Sequence, residues 1–216
     1  MFTGIIEAVG QITALKRQAG DLSVTIHSDE LDFQDVKLGD SIASNGVCLT
    51  VTARGNNWFS ADLSSETLAL TLFSNYQLGQ RVNLEKALLA TSRLGGHLVS
   101  GHVDGVTTIS KIEKTGRAWQ LYVKIPPTLG RYIAHKGSIT VDGVSLTVNE
   151  VLSETCRLTI VPHTSKQTTL QHLVAGSAVH LEVDVLARYL ERLMTASQAS
   201  SPTGVSMELL QQRGFL

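Results

Sequence analysis

Residues 41–51, SIASNGVCLTV, recur as SITVDGVSLTV at residues 138–148, a displacement of 97 positions. The same displacement pairs Gly4 with Gly101, Val9 with Val106, Ile12 with Ile109, Thr67 with Thr164 and Thr71 with Thr168, and it carries the run Gly79, Val82, Leu84, Glu85 onto Gly176, Val179, Leu181, Glu182. A constant offset between residues 4 and 182 leaves no net insertion, so the chain reads as two copies of one superposable unit. A unit of roughly ninety residues can bury a modest core by itself.

Inside the repeated segment, Asn45-Gly46 and Asp142-Gly143 are dipeptides suited to the two positive φ angles of a type I′ turn, and each lies between alternating apolar runs. After the first turn, Val47, Leu49 and Val51 point to one face and Cys48, Thr50 and Thr52 to the other. Val144, Leu146 and Val148 opposite Ser145, Thr147 and Asn149 repeat the pattern. One face feeds a core and the other carries a row of small polar groups, either a solvated surface or a binding surface.

Short runs rich in Val, Ile, Leu and Thr at residues 4–16, 22–28, 39–44, 47–53, 58–64 and 81–87 give about six strands per copy. Such a pattern fits a small closed barrel or a sandwich, and duplication favours two barrels side by side. TLALTLF after Glu66 and TSKQTTL after His163 each have room for a helical turn. The junction LATSRLGGHLVSG places the boundary near residue 97, giving units at 1–97 and 98–185. Leu186, Tyr189, Leu190, Leu193 and Met194 then recur at helical spacing within 186–198. This helix has no counterpart in the first copy; its stripe packs on the barrels or on another subunit. Residues 199–216, with their Ser and Pro punctuation, read as a mobile tail.

Net charge −1 and 17% charged residues give no basic surface for nucleic acid or anionic membrane. The opening MFTGIIEAVGQI lacks a positive n-region, and no window approaches a membrane span of about eighteen apolar residues. Cys48 aligns with Ser145 and Cys156 with Phe59, so a disulfide framework is not expected and the cytoplasm is. GGHLVSG has the wrong spacing for a dinucleotide loop, and no phosphate-binding P-loop occurs. His97 and His102, five apart on an extended segment, face opposite sides and argue against a shared metal. His102 falls with Ser100 and Asp104, where an imidazole could act as acid or base. Cys48 lies on the polar face, whereas Cys156 alternates with Leu158 and Ile160 and reads as core.

MFTGIIE, SNGVCLTV, GGHLVSGHVDG, KGSITVDGVSLTV and PHTSKQTTL, in order along residues 1 to about 195, resemble the alpha-type riboflavin synthases, a family of lumazine-binding repeats. The resemblance implies an all-β chain of two six-stranded antiparallel Greek-key barrels with a C-terminal α-helix for oligomerisation. It implies a homotrimer with active sites between subunits, association with lumazine synthase, and no cofactor or metal. The implied reaction is a dismutation, in which one 6,7-dimethyl-8-ribityllumazine gives a four-carbon unit to another. The products are riboflavin and 5-amino-6-(D-ribitylamino)uracil. A non-catalytic lumazine- or flavin-binding fluorescent relative is the competing reading.

The implied ligand-lining residues are Gly4, Ile5, Ile6, Cys48, Leu49, Thr50, Asp62, Leu63, Ser64, Ser65, Glu66 and Thr67 in the first half. In the second half they are Gly101, His102, Val103, Ser145, Leu146, Thr147, Thr159, Ile160, Val161, Pro162, His163 and Thr164, with Lys136 and Asp142 added. Two identical substrates need two similar pockets, and a repeat supplies them. The copies differ at Cys48 against Ser145, Ile5 against His102 and Glu66 against His163, and they agree at Ser41 and Ser138, or Thr50 and Thr147. Unlike residues assign roles and shared ones bind, and Cys48, Ser41 and His102 are the expected catalytic groups.

Overall fold

In the computed structural model, which describes residues 1–18, 21–199 and 207–214, each copy closes into a six-stranded antiparallel barrel. The first comprises β1 (Ala8–Gln18), β2 (Asp21–His27), β3 (Ser41–Ser44), β4 (Val47–Arg54), β5 (Trp58–Leu63) and β6 (Arg81–Lys86), bonded in the ring order β1-β2-β5-β4-β3-β6. The second comprises β7 (Gly105–Thr115), β8 (Ala118–Lys124), β9 (Ser138–Val141), β10 (Val144–Val151), β11 (Thr155–Ile160) and β12 (Ala178–Val183), in the matching order β7-β8-β11-β10-β9-β12. Closing each ring leaves no unpaired edge.

Period-two alternation sets the inside of each barrel. Val47, Leu49 and Val51 are buried, Cys48 is half-buried, and Thr50 and Thr52 are exposed; β10 repeats this with Val144, Leu146 and Val148 buried and Thr147 exposed. Cys156 is fully buried in the second core, and both cysteines are free thiols. Register shifts fall at Ile12/Ala14 and Val51/Ala53 in the first barrel and at Ile109/Lys111 and Val148/Glu150 in the second, again 97 apart. Such bulges bend long strands around a small ring.

A short helix follows the last strand of each β4–β5 and β10–β11 pair. Ser64 caps α1 (Ser65–Leu70), its Oγ accepting from the Thr67 N–H at 3.3 Å. Pro162 opens α2 (Pro162–Lys166), where the missing N–H costs nothing.

Asn45, Gly46, Asp142 and Gly143 have φ of 47°, 82°, 46° and 78°, the positive values of the expected turns. The two turns also form the contact between barrels. A Cβ on Gly46 would lie 2.8 Å from the Gly143 nitrogen, and one on Gly143 would lie 2.6 Å from the Gly46 nitrogen. Glycine is needed here both for the positive φ and for the close approach.

The chain divides into two compact units, Met1–Val185 and Leu186–Leu216. In the helix α3 (Val185–Ala199), Leu186, Tyr189, Leu190, Leu193 and Met194 are all exposed. Within the stretch read as a tail, Met207–Gln212 form a short helix, α4, because Met, Glu, Leu and Gln are good helix formers. Residues 200–206 and 215–216 of that stretch lie outside the described residues. No helix among the described residues is long and apolar enough to cross a membrane.

Candidate active site

Residues 3–7 and 100–104 form equivalent arms leading into β1 and β7, and each arm touches the other barrel. Ser145 in β10 donates its N–H to the Gly4 carbonyl at 2.8 Å, and Cys48 in β4 donates to the Gly101 carbonyl at 2.8 Å. Ile6 packs against the core of the second barrel, and Val103 against that of the first. Phe2 and Val99 meet in a short antiparallel bridge between the arms. The stretches expected to line one pocket within each half are therefore assembled crosswise: 4–6 beside Ser145, and 101–103 beside Cys48.

Across the β3–β4 hairpin, Ser41 pairs with Thr50 and Ala43 with Cys48, so Ser41, Cys48 and Thr50 share one outward face. In the second hairpin, Ser138 pairs with Thr147 and Thr140 with Ser145. Leu49 and Leu146 point into the cores, which leaves only their backbone for a ligand. The same holds for Leu63 and Ile160 at the ends of β5 and β11. Beyond these, Asp62, Ser64, Ser65 and Glu66 are exposed and Thr67 is half-buried; Val161 and His163 are exposed, and Thr159, Pro162 and Thr164 half-buried. A cleft of about 930 Å³ beside the first arm is lined by Thr3, Ile5, Ser41, Ile42, Ala87, Leu88, Arg93 and neighbours, without Cys48 or residues 62–67.

His97 and His102 have different environments. His102 is exposed; its backbone N–H donates to Ser100 Oγ at 3.1 Å, and its imidazole makes no hydrogen bond among the described residues. His97 is buried, with Nδ1 2.7 Å from Ser145 Oγ and its backbone N–H donating to the Thr3 carbonyl at 3.1 Å. Burial holds the His97 pKa below the ordinary imidazole value against the opposing charge of Asp184, so the ring is neutral near pH 7, and the tautomer decides whether Nδ1 donates to the Ser145 hydroxyl or accepts from it. Nε2 is buried with no hydrogen-bond partner. His97 escapes a reading of the sequence based on the repeat, because subtracting 97 leads to a position before Met1. Among the described residues, no imidazole bonds the side chain of Cys48, the repeat counterpart of Ser145.

Lys136 adopts φ 65° where its repeat counterpart Gly39 has 89°, a left-handed conformation that strains a residue with a side chain. Its N–H donates to the Val148 carbonyl at 2.7 Å. Asp142 is buried at the contact between barrels, where Oδ1 accepts from the His180 N–H at 2.8 Å. Burial raises its pKa to about 7. The carboxyl bond to His180 lies within the second barrel, and the Asp142 carbonyl makes the bond to the first, accepting from Asn83 Nδ2 at 2.9 Å.

A family model described as the lumazine binding domain matches residues 3–87 and 100–184, and each span begins within an arm. The chain is 51% identical to a riboflavin synthase of Photobacterium phosphoreum and 40% identical to one of Bacillus subtilis, in both cases over the whole of each chain. It belongs to the riboflavin synthase family. A crystal structure of LumP complexed with riboflavin is also similar, with a TM-score of 0.78 and 27% identity over 85% of this chain and 99% of that one. LumP complexed with 6,7-dimethyl-8-(1'-D-ribityl) lumazine gives a TM-score of 0.76 at 26% identity, with the same coverage. Riboflavin synthase family membership thus rests on both repeats and on the full length.

Proposed function

We propose that this chain is a riboflavin synthase, converting two molecules of 6,7-dimethyl-8-ribityllumazine into riboflavin and 5-amino-6-(D-ribitylamino)uracil by moving a four-carbon unit between them. The observation that carries the reading is the pair of equivalent outward polar faces, each crossed by the arm of the other barrel. One pocket comprises Cys48, Thr50, residues 62–67 and the arm 101–103, with Ser41 alongside. The other comprises Ser145, Thr147, residues 159–164 and the arm 4–6, with His97 behind Ser145. Backbone groups of the arms pair with the uracil-like edge of each lumazine, and hydroxyls and Lys136 serve the ribityl chain.

One lumazine must lose a C7-methyl proton, and the other must take a nucleophile or hydroxide at C7. The neutral His97–Ser145 pair suits proton removal, and Ser41, Cys48 and His102 remain the groups for the other substrate. Holding the two ring systems face to face supplies much of the acceleration, on the order of 7–11 kcal/mol at the upper range of effective molarities.

The two surfaces lie on β4 and β10 of different barrels, and we infer that unlike pockets meet between neighbouring subunits. We assign that pairing to a homotrimer, with the exposed stripe of α3 as its contact. The boundaries 1–97, 98–185, 186–198 and 199–216, a cytoplasmic location and association with lumazine synthase complete the reading. A binding protein like LumP is the second reading, supported by structural likeness but at lower sequence identity than the riboflavin synthases.

The purified chain incubated with the lumazine alone should accumulate riboflavin absorbance, one product for every two substrates consumed. A chain that fluoresces with bound lumazine and leaves it unconverted would be a binding protein instead.

A further inference from the structure

Each arm is tied down by a carboxylate from the barrel it belongs to before it touches the other barrel. Glu85 in β6 is buried; its Oε1 accepts from the Thr3 N–H at 2.6 Å and the Thr3 hydroxyl at 2.7 Å, and its Oε2 from the Gly4 N–H at 2.9 Å. Glu182 in β12 does the same for the other arm, accepting from the Ser100 N–H at 2.7 Å, the Ser100 hydroxyl at 2.6 Å and the Gly101 N–H at 3.2 Å. The next group along each arm is the carbonyl that reaches across, from Gly4 to Ser145 and from Gly101 to Cys48.

Three donors on one buried carboxyl fix two successive peptide planes, because its two oxygens accept hydrogen bonds along defined directions. The arms also lie flush on the hairpins. A Cβ on Gly4 would stand 2.6 Å from Ser145 Cβ, and one on Gly101 2.8 Å from Cys48 Cβ. A small rotation of either arm therefore moves the groups beside Ser145 or Cys48.

We propose that Glu85 and Glu182 are positioning residues that act across the barrels: Glu85, in the first barrel, sets the arm of the Ser145 pocket, and Glu182, in the second, sets the arm of the Cys48 pocket. The assignment of those surfaces as pockets rests on the function proposed above. The clamps themselves do not depend on it.

The test uses the full chain and two measurements. Without ligand, amide hydrogen exchange is followed at Cys48 and Ser145. Glu182→Gln should speed exchange at Cys48 at least about tenfold and leave Ser145 within about twofold, and Glu85→Gln should do the reverse. With riboflavin as probe, the NMR shifts of the same two amides give the affinity at each surface. Each substitution should weaken binding roughly tenfold in the opposite barrel only. Effects confined to the substituted barrel, or equal at both amides, overturn the proposal. Ser100→Ala and Thr3→Val remove the hydroxyl strand of each clamp, together with the bond each hydroxyl accepts from the N–H two residues on, and should give the same crossed pattern at smaller size. They decide the matter if the glutamine variants do not fold. A parent chain that binds no riboflavin would sink the functional reading, while the exchange pattern would still decide the clamps.

Discussion

The turns at residues 45–46 and 142–143 are held by equivalent hydrogen bonds made from different side chains. On one side Asn83 donates from Nδ2 to the Asp142 carbonyl at 2.9 Å and accepts on Oδ1 from the Thr169 N–H at 2.7 Å. On the other side, at the repeat-related position, His180 donates from Nδ1 to the Asn45 carbonyl at 2.8 Å and accepts on Nε2 from the Leu72 N–H at 2.8 Å. Leu72 and Thr169 are themselves 97 apart. An amide and a neutral imidazole each offer one donor and one acceptor, so the duplication has kept the bonds and changed the residues. Likewise Asn45 Oδ1 accepts from the Asn83 N–H at 2.7 Å, as Asp142 Oδ1 does from that of His180. The difference is titration: one copy of the contact is neutral at every ordinary pH, and the other contains a buried acid and a buried base.

The largest way to break this comparison is to act on what both copies share. Gly143→Val places a branched side chain at φ 78° against the Gly46 backbone, with no flexible neighbour to yield. Urea unfolding should show a loss of roughly 3 kcal/mol or more. Gly46→Val should match it within about 1 kcal/mol if the contact is as symmetric as its hydrogen bonds.

Next in size is a group present on one side only. His97→Ala should lower kcat about a hundredfold, with riboflavin affinity changed much less, if the imidazole takes the Ser145 proton. Steady-state assays and a riboflavin titration separate the two. An equal fall in both would make His97 a wall of the pocket.

A smaller effect isolates the titrating pair. Burial raises the Asp142 pKa from 3.8 to about 7, opposed by the bond from the His180 N–H, so its stabilising contribution is full below pH 4 and is lost as pH rises through 7. Burial lowers the His180 pKa from 6.5 to about 4, opposed by the bond to Asn45, so its contribution is full above pH 6.5 and lost as pH falls through 4. The two slopes oppose each other over the same window and leave the parent chain with a shallow profile. Asp142→Asn copies the first turn and removes only the first slope. The variant should gain on the parent as pH rises from 4 to 7, reaching roughly 2 kcal/mol at pH 7, and its own stability should climb between pH 4 and 6.5. Thermal melts across that range read both.

These contrasts also mark what the sequence could reveal. Barrel strands and turns were legible because alternation and the Asn-Gly and Asp-Gly dipeptides are local signals that the second copy repeats. The crossing of the arms was not, since Gly4 and Gly101 are equivalent and a repeat cannot say which barrel each arm touches. Asn83 and His180 were hidden because they differ as letters while agreeing as donors and acceptors. His97 precedes the repeated unit, so comparing the copies gave it no partner. Glu85 and Glu182 did appear as matched positions, but nothing local distinguishes a buried clamp from a surface acid until the arms are seen folded onto them.

The smallest predicted effect concerns the pair of pocket residues that differ by one atom. Cys48 packs beside a small apolar cluster of Phe2, Ala43 and Val99, whereas Ser145 has the imidazole of His97 at its hydroxyl. Cys48→Ser makes the two hairpins alike in residue but not in surroundings, because the first has no His97 to meet the new hydroxyl. Packing alone predicts a stability loss of under about 1 kcal/mol, since the volume change is slight and the site is half-buried. If the thiol also takes part in the chemistry, kcat should fall several-fold while riboflavin affinity stays within about twofold. An unchanged kcat alongside the small stability loss would assign Cys48 to the apolar cluster. The functional asymmetry between the barrels would then rest on the histidines, with His97 contributed by the linker rather than by either copy of the repeat.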